Sequence, residues 1–159
     1  MTSVDLAAKV TAALAARGAT LAVAESLTGG ALAAAVVDVP GASKVFRGGA
    51  VTYAVDSKIS VLGVDAARIA ECGPVDAEVA KQMARGVAQM FGADYALATT
   101  GVAGPGAADG HPAGTVWIGY YGKSDDASAA ILESFTADRA GVRAATVQSA
   151  LQLLLEKLS

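Results

Sequence analysis

A serine, Ser26, follows the apolar run Thr20 to Ala24 and opens the segment Ser26-Leu27-Thr28-Gly29-Gly30 ahead of an alanine-rich stretch. A serine that ends a buried strand and precedes a helix sits at the sheet edge, beside helix N-terminal amides. Such amides can hydrogen-bond a developing oxyanion, and Gly29 and Gly30 would let a substrate approach the backbone. The same position also suits Ser26 or Thr28 as a plain helix cap. A nucleophilic serine needs a base, and two are on offer. His111, the single histidine of the chain, lies beside Pro112 in a Gly/Pro-rich loop, which reads as a surface position. Lys58 follows Tyr53 across Tyr-Ala-Val-Asp-Ser-Lys, and a lysine becomes a base once burial lowers its pKa from about 10.4 toward neutrality. Spacing alone reads Lys58 as a solvated helix residue and Tyr53 as a half-buried strand residue.

Two further segments suit an anionic ligand. Thr99-Thr100-Gly101-Val102-Ala103-Gly104-Pro105-Gly106 is neither a Walker A sequence nor a dinucleotide-binding fingerprint. Glycines after a strand can present amides to a phosphate or a ring, or simply make a tight turn. Arg139 and Arg143 lie one helical turn apart, so they could clamp one phosphate or stand exposed beside Asp138. Cys72 is the single cysteine, which excludes an internal disulfide and a thiolate-cluster metal site; one histidine excludes the multi-histidine sites. The expectation is a site with no metal and no organic cofactor. Twelve basic and 15 acidic residues give a net charge of −3 without blocks of one sign. With no basic patch, nucleic acid is not the expected partner, and a small molecule is.

These residues need elements to position them. Apolar spacing predicts a helix over 3–17 closed by Gly18, a strand over 20–24, and a short helix to Val37 broken at Pro40-Gly41. A strand over 46–53, helices over 55–62 and 65–72, and a helix capped by Asp76 and ended by Gly92 follow. Next come a strand over 95–100, an irregular segment from Gly101 to Gly114, and neighbouring strands over 115–121 and 127–135. A final helix runs from about Asp138 to Leu158, packing Val142, Leu151, Leu154 and Leu158. Trp117 and the methionines read as core. The interleaving predicts an α/β fold: a single layered domain spanning residues 1–159, its mixed β-sheet flanked by helices. Hydrophobic residues make up 53% of the chain, ample for a core and incompatible with disorder. The longest apolar stretch, Ala31 to Val37, is too short to span a bilayer, and no basic stretch precedes an apolar one at the start. No membrane association and a cytoplasmic location are therefore expected.

Taken together, five segments in order resemble the CinA C-terminal domain family: Ala24 to Gly30, Gly49 to Tyr53 with Lys58, Thr100 to Pro105, Pro112 to Val116, and Arg139 with Arg143. The resemblance runs over nearly the whole chain and to the amidase domain alone; no counterpart of the additional N-terminal domain of longer CinA proteins is expected among these residues. It implies the family's fold and an amidase acting on nicotinamide mononucleotide to give nicotinic acid mononucleotide and ammonia. It further implies Ser26 as nucleophile, Lys58 as general base and Tyr53 as a helper in proton transfer. Thr28, Gly29 and Gly30 fall beside the oxyanion, while Thr100, Gly101, Ala103 and Gly104 line the nucleotide site. Arg139 and Arg143 match a basic pair suited to the phosphate, and the family favours a homo-oligomer. Leu27 replaces a frequent cysteine beside the nucleophile. Asp76 stands where many members carry serine, which bears on substrate preference. The rival readings are a nucleotide-binding protein linked to competence or DNA damage, without turnover, and an amidase for another nucleotide amide.

Overall fold

The computed structural model describes residues 1–159. Its five strands run β1 (Leu21–Glu25), β2 (Phe46–Val51), β3 (Tyr95–Gly101), β4 (Thr115–Gly122) and β5 (Ala127–Ser134). Their spatial order is β2-β1-β3-β4-β5. β1 pairs in parallel with β2 and β3, whereas β4 is antiparallel to both β3 and β5. This is the mixed sheet expected, with β4 and β5 as its hairpin. The helices are α1 (Ser3–Arg17), α2 (Ala31–Val37), α3 (Val55–Leu62), α4 (Ala66–Cys72), α5 (Ala77–Phe91) and α6 (Arg139–Lys157), with a 3₁₀ turn at Ala42–Lys44.

Strand alternation divides the core in two. Leu21, Val23, Leu97, Val116 and Ile118 face α1, α2 and α6, which supply Leu6, Val10, Leu32, Val142, Leu151 and Leu154. Ala22, Ala24, Ala96 and Ala98 face the other way, against Val79, Met83 and Val87 of α5 and Leu62 of α3. The alanine face leaves room for α5 to lie close to the sheet. Gly119 completes that fit: a Cβ there would run into the Ala80 carbonyl. Helix ends follow their side chains. Thr2 and Asp5 form a capping box on α1, Asp76 caps α5 through the Glu78 and Val79 amides, and Asp138 caps α6 through Gly141.

Several expectations are corrected in detail. β1 extends one residue further, so that Glu25 is its last residue, and β2 stops at Val51 rather than Tyr53. Neither Ser26 nor Thr28 caps α2: its cap position is Gly30, without a side-chain bond. Trp117 is half-buried, and of the methionines Met83 alone is core, Met1 and Met90 being exposed. No helix is long and apolar enough to cross a membrane.

Candidate active site

The parallel strands β1, β2 and β3 end side by side. Open α/β sheets bind ligands beyond such carboxyl ends, and here that edge carries Ser26 after β1, Thr52 and Tyr53 after β2, and the 101–114 segment after β3. Ser26 is held from below by Thr99: its N–H donates to the Thr99 carbonyl at 3.0 Å and lies 3.3 Å from the Thr99 hydroxyl. Thr28 is fully buried and shares a 2.8 Å hydrogen bond with that same hydroxyl.

Lys58 lies in the first turn of α3. Side chains on a helix lean toward its N-terminus, so this one reaches back to the end of β2. Its Nζ donates to the Thr52 carbonyl at 2.6 Å and to Ser26 Oγ at 3.0 Å. The early end of β2 thus has a physical reason, because the Thr52 carbonyl receives an ammonium donor. Spacing had suggested a solvated lysine; Lys58 is 1% exposed. Desolvation of its charge pushes its pKa from the usual 10.5 down to about 8, with the Asp109 carboxylate opposing the shift. A serine hydroxyl touching an amine that is easily made neutral is an arrangement that can act as nucleophile and base.

A cavity of about 300 Å³ opens over this pair, lined by Ser26, Leu27, Tyr53, Lys58, Thr100 to Asp109, and Arg139. That is the size of a small-ligand pocket. Tyr53 is 60% exposed rather than half-buried. Its hydroxyl accepts a bond from Arg139 Nη2 at 3.1 Å, so the phenol meets the arginine and not the Ser26–Lys58 pair. Thr100 faces the cavity, yet its hydroxyl donates to the Pro74 carbonyl at 2.8 Å and so fixes the Pro74–Val75 wall. Asp76, just beyond that wall, is held by Arg68 through two 2.9 Å bonds. The guanidinium keeps its carboxyl below the usual range. Asp76 thus works as a cap and ion-pair partner.

The structure separates the two arginines. Arg139 lines the cavity and donates to the Gly104 carbonyl at 2.6 Å. Arg143 instead donates to the carbonyls of Leu27 and Thr28, both at 2.9 Å, and so clamps the serine loop. Convergence of both guanidinium groups on one phosphate is not what this geometry provides. His111 is outside the cavity lining, where it exchanges backbone hydrogen bonds with Ala108. No three His, Cys, Asp or Glu side chains gather as a metal site would require.

Glu25 is the residue that sequence reading missed. It is 1% exposed, and its carboxylate accepts the Leu32 and Ala33 amides at 2.8 and 3.1 Å. An anion on the first turn of α2 is favoured by the helix dipole, and it leaves that turn no free charge for a ligand. Gly29 donates its N–H to the Ser26 carbonyl, and neither Thr28, Gly29 nor Gly30 lines the cavity. The Gly29 amide is thus already engaged, and the Gly30 amide, which donates to no acceptor within the chain, stands outside the cavity lining. Leu27, Ala103 and Gly104 do line the cavity, and their amides donate to no acceptor within the chain.

Fold and site together define a class: a three-layer α/β domain with a buried serine–lysine pair at the carboxyl ends of its parallel strands. Sequence comparison places it further. The CinA C-terminal domain family model matches residues 3–158, and the chain belongs to that family. A CinA-like protein of Frankia casuarinae is 48% identical over 143 residues, covering 90% of this chain and 33% of the relative. The chain thus spans about a third of the length of the curated relatives it matches. Among solved structures, the competence damage-inducible protein A of Klebsiella pneumoniae is 38% identical with a TM-score of 0.95, covering 99% of this chain and 98% of the other. The competence or damage-inducible protein of Enterobacter asburiae is 29% identical with a TM-score of 0.96, covering 100% and 99%.

Proposed function

We propose that this domain is a serine–lysine amidohydrolase that releases ammonia from the carboxamide of a nicotinamide nucleotide, with nicotinamide mononucleotide as its substrate. The 3.0 Å contact between Lys58 Nζ and Ser26 Oγ, inside a cavity of nucleotide-fragment size, carries the reading. Neutral Lys58 takes the Ser26 proton as Oγ attacks the carboxamide carbon. The resulting oxyanion is met by the unpaired amides of Leu27, Ala103 and Gly104. Lys58 then passes its proton to the leaving nitrogen, and ammonia departs. Water, deprotonated by Lys58, cleaves the acyl ester to give the carboxylate product and restore Ser26. Arg139, with donors beyond those it uses on Gly104 and Tyr53, is the phosphate contact.

A protein that only binds a nucleotide has no use for a desolvated amine on a serine hydroxyl, since burying Lys58 costs stability. The test is ammonia release across amide-bearing nucleotides and nucleosides. Release from nicotinamide mononucleotide, ahead of nicotinamide riboside and of neutral amide nucleotides, is the expected outcome. Binding without release from any of them would favour the non-enzymatic role.

A further inference from the structure

The cavity holds one carboxylate that the mechanism above leaves unused. Asp109 and Gly110 close a two-residue turn in which Ala108 and His111 exchange both backbone bonds, at 3.0 and 2.9 Å. With φ at +52 for Asp109 and +80 for Gly110, this is a type I′ turn. It fixes the start of the Asp109 side chain in a segment otherwise rich in glycine. Asp109 is the sole acidic residue among those lining the cavity, where Lys58 and Arg139 are the basic ones. Its carboxylate forms no hydrogen bond or ion pair within the molecule, the two ion pairs being Arg68–Asp76 and Arg85–Asp126.

Asp109 is solvent-exposed, and its charge reaches Lys58, where it opposes the fall in pKa. Lys58 must be neutral to take the serine proton, and Asp109 is then the one carboxylate at the cavity, with no cation of the chain paired to it. Arg139 is engaged at the Gly104 and Tyr53 side of the cavity. A ligand that brings its own positive charge to the reacting end restores the balance and, by like-charge repulsion, favours the neutral lysine. We infer that Asp109 is a specificity-determining residue, selecting substrates whose amide-bearing ring is cationic. The inference rests on the mononucleotide reading, in which that ring is a pyridinium with a full positive charge. A carboxylate serving ribose hydroxyls instead would not distinguish a charged ring from a neutral one.

Binding to the Ser26→Ala protein separates recognition from chemistry. Titration calorimetry at pH 8 compares nicotinamide mononucleotide with its dihydro form, which has the same carboxamide, ribose and phosphate but an uncharged ring. Asp109→Asn removes the charge at nearly constant shape, and asparagine favours a positive φ at least as well as aspartate, so the turn is kept. The Ser26→Ala protein should bind the pyridinium form more tightly than the dihydro form. Adding Asp109→Asn should weaken the pyridinium form by about three- to fivefold, as for an exposed ion pair, and leave the dihydro form nearly unchanged. Equal weakening of both forms, or weakening of neither, overturns the role of Asp109 while leaving the substrate reading in place. Failure of the Ser26→Ala protein to bind either form overturns the substrate reading, and this inference with it.

Discussion

Replacing Lys58 by methionine removes one titrating group from the core at nearly constant length, and its effect on stability should depend on pH in a defined direction. Lys58 is 1% exposed, and burial lowers its pKa from 10.5 to about 8. Below pH 8 folded and unfolded chains both hold the proton, so the native state carries a desolvated ammonium. Between pH 8 and 10.5 the unfolded chain retains a proton that the folded chain has released. Stability therefore rises with pH across that window, by about 1.4 kcal/mol per unit and about 3 kcal/mol in all. The Lys58→Met protein lacks this term. Urea unfolding of both proteins from pH 7 to 9.5 isolates it, since other titrations cancel in the difference. That difference should move toward the wild type by about 2 kcal/mol between the two ends. A difference flat across this range would mean that Lys58 titrates as an exposed lysine, and the reasoning for its role as base would fail. The rate should follow the same group: kcat/KM rises with pH about a midpoint near 8. At pH 7 roughly one lysine in ten is then neutral, against about one in 3,000 at an unshifted pKa.

Arg139→Ala should lower kcat/KM by about 10- to 150-fold on nicotinamide mononucleotide and hardly at all on nicotinamide riboside, because a charged phosphate contact contributes roughly 1.5–3 kcal/mol. Arg143→Ala should instead slow both substrates alike and lower the melting temperature, since its guanidinium holds the Leu27 and Thr28 carbonyls. Glu25→Ala leaves two amides of α2 without their acceptor and should cost about 3 kcal/mol or more in urea unfolding, with Glu25→Gln recovering part of it. His111→Ala should keep most of the ammonia-release rate; a dead enzyme would return the histidine to the role of base.

The layered architecture could be read from the sequence because each element obeys a local rule. α3 begins and ends where apolar spacing put it, at Val55 and Leu62, and Asp76, Gly92 and Asp138 stop or start helices as caps do. Ser26, Lys58 and Arg139 were likewise identifiable as types in a family pattern. Contacts between distant segments were not. Nothing in the spacing of Lys58 says that α3 turns it inward to Ser26, 32 residues away, because that depends on how β1 and β2 end together. Arg139 and Arg143 look equivalent on one helix, yet different loops lie opposite them. Glu25 follows Leu-Ala-Val-Ala, where a charge seems out of place; its partners are amides seven and eight residues on. A buried acid at the end of an apolar strand was the available signal. The Asp109-Gly110 dipeptide was another, being a common type I′ pair.

The central claim is that Ser26 is the nucleophile of an amide hydrolysis. It is tested most directly by ammonia release from nicotinamide mononucleotide at pH 8, comparing the wild-type protein with Ser26→Ala. The wild type should release ammonia, and the variant should be slower by about a thousandfold or more with an unchanged melting curve. Release by the variant within tenfold of the wild type would contradict the covalent mechanism.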